Sequence, residues 1–137
     1  MTGLLEIHNY TESGYQPLVD FNCWRVALLN WEPLFSLDNA GEIERHLETD
    51  EVFILWRGTG LIFVSDGEQL QVEEMQPGVV YNVPQGIWHN LLASRDASWI
   101  IVENRDTDMH NSEIRQMTPA EWDQLRAALP SWVKGIS

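Results

Sequence analysis

The chain has 137 residues, enough for one domain with a sizeable apolar core. Eight basic residues stand against 21 acidic ones, for a formal charge of −13, and a surface of that sign repels a phosphate backbone. Nucleic acid is therefore not an expected partner. No apolar run approaches the ~20 residues that cross a bilayer, so no membrane association is expected. Met1 to Tyr10 has no basic stretch leading into an apolar one, so no secretory signal is expected either.

In chain order, short runs rich in Val, Ile, Leu, Phe and Trp alternate with turn residues. Leu4 to Ile7, Cys23 to Leu29, Ile43 to His46, Val52 to Arg57 and Leu61 to Ser65 read as strands. So do Gln69 to Val72, Val79 to Val83, Trp88 to Leu92 and Ser98 to Glu103. Asp66-Gly67 marks a hairpin, because Gly accepts the positive φ of a tight turn. Residues 106–113 are polar and read as a connecting loop, with His110 at the surface, like His8 near the start. Thr118-Pro119-Ala120-Glu121 is a capping box with Pro at the first helical position. Trp122, Leu125 and Leu129 then share one helical face, and Pro130 stops the helix. This pattern predicts an antiparallel sandwich or barrel with a short helix packed on its outside or on a second subunit. The lone cysteine, Cys23, excludes an internal disulfide and fits a reducing, cytoplasmic setting. Its apolar surroundings predict a buried, inert thiol.

Two segments carry chemistry. The first is Glu44-Arg45-His46 followed by Glu51 and Gly58, which reads E-x-H-x4-E-x6-G. The second is Gly78, Pro84, Gly86 and His89, which reads G-x5-P-x-G-x2-H. Strand side chains alternate between faces, so Glu44 and His46 share one face, as do Glu51 and Phe53. Two imidazoles and a carboxylate satisfy a borderline divalent ion and leave coordination positions free. The alternative use of the same residues is hydrogen bonding within a metal-free pocket.

These segments resemble the two motifs of the small cupins. His46, Glu51 and Gly58 match the later part of the first motif, and Gly78, Pro84, Gly86 and His89 match the second. Glu44 stands where the first metal-binding His is expected, and Ala93 replaces the closing Asn. The resemblance implies an all-β, cupin-type double-stranded β-helix, or jelly-roll barrel. Its expected extent is the single domain 1–137, with the barrel core at about 20–105 and the helix at about 119–129. It implies a homodimer as well. It also implies a divalent metal (Fe, Mn, Ni or Zn) held by His46, Glu51 and His89, with Glu44 as a fourth ligand or the proton-moving group. The expected function is a metal-dependent small-molecule cupin acting on a polar metabolite by oxygenation, isomerisation or lyase chemistry. A non-catalytic sugar or metabolite binder and a metal-free, epimerase-like site are the competing readings. Phe53, Tyr81 and Arg57 are the expected substrate-pocket residues. Arg25 joins them if it faces the cavity rather than a carboxylate, and Trp88 is a further candidate for contact with a ring or sugar.

Overall fold

Short β-branched and aromatic runs pair into two antiparallel sheets that face each other. The computed structural model describes residues 3–135. Its strands are β1 (Gly14–Phe21), β2 (Trp24–Asn30), β3 (Glu42–His46), β4 (Glu51–Arg57) and β5 (Gly60–Ser65). They continue with β6 (Leu70–Glu74), β7 (Tyr81–Val83), β8 (Trp88–Ala93), β9 (Ser98–Asn104) and β10 (Ser112–Gln116). One α-helix among the described residues, α1 (Pro119–Ala128), follows. One sheet runs β1-β2-β9-β4-β7 and the other β10-β3-β8-β5-β6. Neighbours in the sheets are mostly distant in sequence, as in a jelly roll.

The core lies between the sheets. Ala27, Leu29, Phe53, Leu55, Leu91, Trp99 and Ile101 alternate inward, and Phe35 folds in from the β2–β3 connection. Phe35 meets Trp99 edge-on with ring centroids 5.5 Å apart. Burying each such side chain contributes about 1.5–3 kcal/mol. A second cluster covers the outer face of the β10-β3-β8-β5-β6 sheet. There Ile43, Leu61, Phe63 and Leu92 meet Leu125, Trp122 and Leu129 of α1. The predicted helix thus packs on its own barrel, and its capping box forms between Thr118 and Glu121 as expected.

The strand expectations need four corrections. Residues 4–7 form no strand, and Leu4, Leu5 and Ile7 are 93, 69 and 86% exposed. Two strands were not anticipated, β1 and β10, and each is the edge of its sheet. They extend the barrel at both ends beyond 20–105. Cys23 is exposed, because it sits with Asn22 in the tight turn between β1 and β2 rather than in a strand.

Candidate functional site

Strand register assembles the polar end of the barrel. In one sheet Arg25 of β2 lies opposite Glu103 of β9, and Glu103 lies opposite Glu51 of β4. In the other sheet Ser112 of β10 lies opposite His46, and Glu44 lies opposite His89 of β8. Cross-strand neighbours share a face. One row of charged groups on each sheet therefore looks across the gap at the other.

The motif glycines and the proline fix that register. Gly58 has φ +81°, and a Cβ there would meet the Ala97 Cα at 2.5 Å, so the chain needs glycine to leave β4 beside the turn before β9. Gly86 has φ +83°, and its N–H donates to the His46 carbonyl at 2.8 Å. The Pro84–Gly86 turn that delivers His89 is thus tied to the strand end that carries His46.

The three residues His46, Glu51 and His89 converge. Nε2 of His46 lies 2.9 Å from Glu51 Oε1, and Nε2 of His89 lies 3.0 Å from the same oxygen. The ring centroids of the two histidines are 5.3 Å apart. All three residues are buried. Each imidazole is anchored by its other nitrogen. His46 Nδ1 is 2.7 Å from Ser112 Oγ, and His89 Nδ1 donates to the Ile87 carbonyl at 3.1 Å. A carbonyl only accepts, so the ring proton of a neutral His89 sits on Nδ1 and its Nε2 lone pair faces Glu51. A cation between them, a metal ion or a second proton, resolves that contact. An outer N–H held by a carbonyl with Nε2 turned inward is the orientation of metal-ligating histidines. The donor set thus fits a divalent ion.

Glu44 lies beside this group, with Oε1 3.7 Å from His46 Nε2. Ligand atoms of Glu44, His46 and His89 lie within 4.8 Å of one another, as do those of His46, Glu51 and Glu103. Glu103 was missed from sequence because it follows neither motif. Only its inward phase on β9, after Trp99 and Ile101, marks it. It accepts hydrogen bonds from the Tyr15 hydroxyl and, at 2.9 Å, from Arg25 Nη2.

Burial and charge pull these groups in opposite directions. Burial alone would raise the Glu51 carboxyl, but the hydrogen bonds and charges of His46 and His89 hold it at about 2. Burial alone would lower His46, yet Glu51, with Glu44 and Glu103, moves it upward. Glu44 is raised, chiefly by burial and then by Glu51 and Glu42, despite the two imidazoles. Glu103 is raised by burial and by Glu51, against Tyr15 and Arg25. Tyr15 is raised as well, by burial and by its bond to Glu103.

The group opens into a cavity of about 560 Å³. Phe53 lines it, with its ring edge-on to His89 at 5.6 Å. Tyr81 does not. It is the cross-strand neighbour of Phe53, but its ring packs on the core and its hydroxyl accepts the Gln76 N–H at 2.8 Å. Arg57 ends β4 at the far end of the strand from Glu51, past the irregularity at Trp56, and stacks on the Trp56 ring at 4.7 Å. It too lies outside the cavity, whereas Arg25 lines it. Trp88 faces away, with the guanidinium groups of Arg45 and Arg115 each 4.5 Å from its ring centre. His8 and His110 are at the surface.

No protein-family model matches the sequence, and neither does any curated protein. Solved structures do. A cupin-2 domain containing protein from Shewanella frigidimarina is 27% identical, over 70% of this chain and 85% of that one, with a TM-score of 0.55. The TDP-quinovose 3,4-ketoisomerase WlaRB from Campylobacter jejuni is 19% identical over 64 and 67%, with a TM-score of 0.54. KdgF from a Halomonas species is 12% identical over 74 and 89%, with a TM-score of 0.53.

Proposed function

We propose that this chain, which has the cupin fold, is a metal-dependent small-molecule cupin whose ion is held by His46, Glu51 and His89. The observation that carries the reading is the meeting of two inward Nε2 atoms on one Glu51 oxygen, with both outer ring nitrogens already anchored. A divalent ion bound there supplies a Lewis acid for a ligand's oxygen atoms. Glu44, raised by burial and 3.7 Å from His46, is placed to pass a proton to or from a ligand in the cavity. Phe53 and Leu91 form an apolar wall beside the histidines. Isomerisation, lyase chemistry and oxygenation all suit such an arrangement, and the ketoisomerase among the similar structures favours the first.

Elemental analysis of protein purified without chelator tests this. Fe, Mn, Ni or Zn is expected in the wild type and is largely lost in His89→Ala. Equally negligible metal in both after reconstitution overturns the metal reading. It leaves the imidazole–carboxylate contact of His46 and Glu51 as a metal-free acid–base pair. Glu44→Gln separates two roles for Glu44. As a ligand its loss weakens metal binding, whereas as a proton carrier it leaves the metal dissociation constant unchanged.

The chain also supports the expected homodimer. Val26, Leu28, Val52, Ile54, Ile100 and Val102 project from the outer face of the β1-β2-β9-β4-β7 sheet, opposite in phase to the core residues. No helix among the described residues covers them, and the exposed Leu4, Leu5 and Ile7 offer a second copy an apolar arm. Light scattering should give twice the chain mass, and Ile100→Arg should halve it. A monomeric wild type at micromolar concentration refutes the dimer.

A further inference from the structure

Carboxylates dominate the charged groups of the cavity. Glu32, Glu42, Glu44, Glu51, Glu103 and Asp108 all line it, and Arg25 is the only guanidinium among the lining residues. Arg25 is consumed. Its Nη2 donates to Glu103 Oε2 and to the Thr107 carbonyl, each at 2.9 Å, and its Nη1 donates to the Arg105 carbonyl at 2.9 Å. Even with a divalent ion in place and both imidazoles neutral, the formal balance of the cavity stays negative. An incoming carboxylate or phosphate therefore meets net repulsion, and both terminal nitrogens of the one guanidinium are already engaged.

The carboxylates are not all alike. Glu51 and Glu103 are bound to the histidines and to Arg25. Glu32 and Glu42 have neither a side-chain hydrogen bond nor an ion pair among the described residues. Glu32 follows the end of β2, Glu42 opens β3, and both line the cavity. Burial and the charge of Glu42 both raise Glu32. Two carboxylates on one cavity wall without a counter-ion are a cost that a bound cation relieves. Beside them the wall is apolar, formed by Leu29, Leu34, Phe35, Phe53 and Leu91. A cation with an apolar body would set its charge on the carboxylates and its body on this wall.

Resting on the reading that this cavity is the ligand site, we propose that it takes an organic amine: a ligand with a protonated nitrogen beside an apolar or aromatic group. The nitrogen lies against Glu32 and Glu42, and the body lies on Phe53, Phe35 and Leu91. The remaining polar atoms face His46, His89 and Glu44.

Three probes of one shape test this, namely 2-phenylethylammonium, 2-phenylethanol and 3-phenylpropanoate. Their dissociation constants are measured by titration calorimetry on wild type, once after chelator treatment and once loaded with Ni²⁺. The ammonium is expected to bind at least about tenfold more tightly than either other probe in both samples, since one charge pair near a protein surface supplies about that much. The Glu32→Gln/Glu42→Gln double variant should lose about that factor for the ammonium and keep the affinity for the alcohol. Both sites are partly exposed, and unchanged alcohol affinity certifies the fold of the variant. Equal affinities, a tighter carboxylate, no saturable ammonium binding at millimolar concentration, or an unchanged double variant overturns the proposal. Failure of the metal reading looks different, because no Ni²⁺ is retained while the ammonium preference persists in the chelated sample.

Discussion

Glu51 and Glu121 are the same side chain in the same kind of burial, put to opposite uses. Both are shielded from water, at 7 and 0% exposure, and both carboxyls are held at about 2. Glu121 is closed. Arg115 grips it with Nη1 at 2.7 Å and Nη2 at 2.9 Å, Ser65 donates at 2.5 Å and the Thr118 N–H at 2.9 Å. Its donors all belong to the protein, it does not line the cavity, and it locks α1 to the sheet. Glu51 is held by two imidazoles and borders open space. Its partners can exchange a proton for a metal ion, which a guanidinium cannot do. A depressed carboxyl alone therefore says nothing about function. The identity of its partners and the space beside them decide.

Removing each carboxylate should break different properties. Glu121→Ala leaves the Arg115 charge and two donors without their acceptor, so a loss of about 3–5 kcal/mol is expected in urea denaturation. Metal affinity should not move. An Ala variant within about 1 kcal/mol of wild type would remove Glu121 from the structural role given to it. Glu51→Gln should do the reverse. An amide is a poor ligand for a divalent ion, so Ni²⁺ or Zn²⁺ should bind about 100-fold more weakly, which corresponds to about 2.7 kcal/mol. The chelated variant should stay within about 1.5 kcal/mol of wild type, because the amide oxygen still accepts from an imidazole. Unchanged affinity would take Glu51 out of the metal site.

The sequence exposes these two carboxylates unequally, and the reasons are physical. Glu51 stands at a fixed spacing from His46 and Gly58, and the glycine is demanded by a backbone contact at Ala97 that tolerates no side chain. Glu121 is legible as a cap, because Thr118 and Glu121 satisfy each other locally. Its ties to Arg115 and Ser65 were not legible, since Arg115 lies on β10. That strand, Ser-Glu-Ile-Arg-Gln, is an edge strand with no apolar run to mark it. β1 was hidden for a related reason. Pro17 cannot donate to a ladder and is tolerated only because β1 is an edge strand with a register shift there. Glu103 depends on the pairing of β9 with both β2 and β4, which no local pattern encodes. Arg57 shares the inward phase of Phe53 by count. The irregularity at Trp56 breaks that phase, which is why a two-residue period misplaced it.

The Arg45–Trp88–Arg115 stack tests how independent the outer face is from the cavity. Trp88 precedes His89 but points the other way, between two guanidinium groups. Trp88→Leu should cost about 1 kcal/mol or a little more, from two cation–π contacts and lost packing. Metal affinity should hold within about twofold. A larger loss would show that Trp88 positions His89 through the backbone.

The gentlest test uses pH alone, and its two limbs belong to different carboxylates. Both Glu51 and Glu121 have folded values near 2, below the ordinary carboxylate range. Their contribution to stability is complete above the unfolded value and disappears as pH falls toward 2, so the acid limb contains both. His46 is raised. Its contribution is complete below its unfolded value of about 6.5 and disappears as pH rises through the raised folded value. Arg115 does not titrate in that window, so the Glu121 network adds no alkaline limb of its own. Urea midpoints of the chelated protein from pH 2.5 to 9 should fall at both ends. In Glu121→Gln the acid limb should shrink and the alkaline limb remain. In Glu51→Gln both should flatten, because the group that raises His46 most is gone. Saturating Ni²⁺ should reverse the alkaline limb, since the ion competes with the proton for the imidazole and binds better as pH rises. An alkaline limb that survives Glu51→Gln would have to come from somewhere other than the His46–Glu51 pair, and the contrast between the two carboxylates would then hold for metal binding alone.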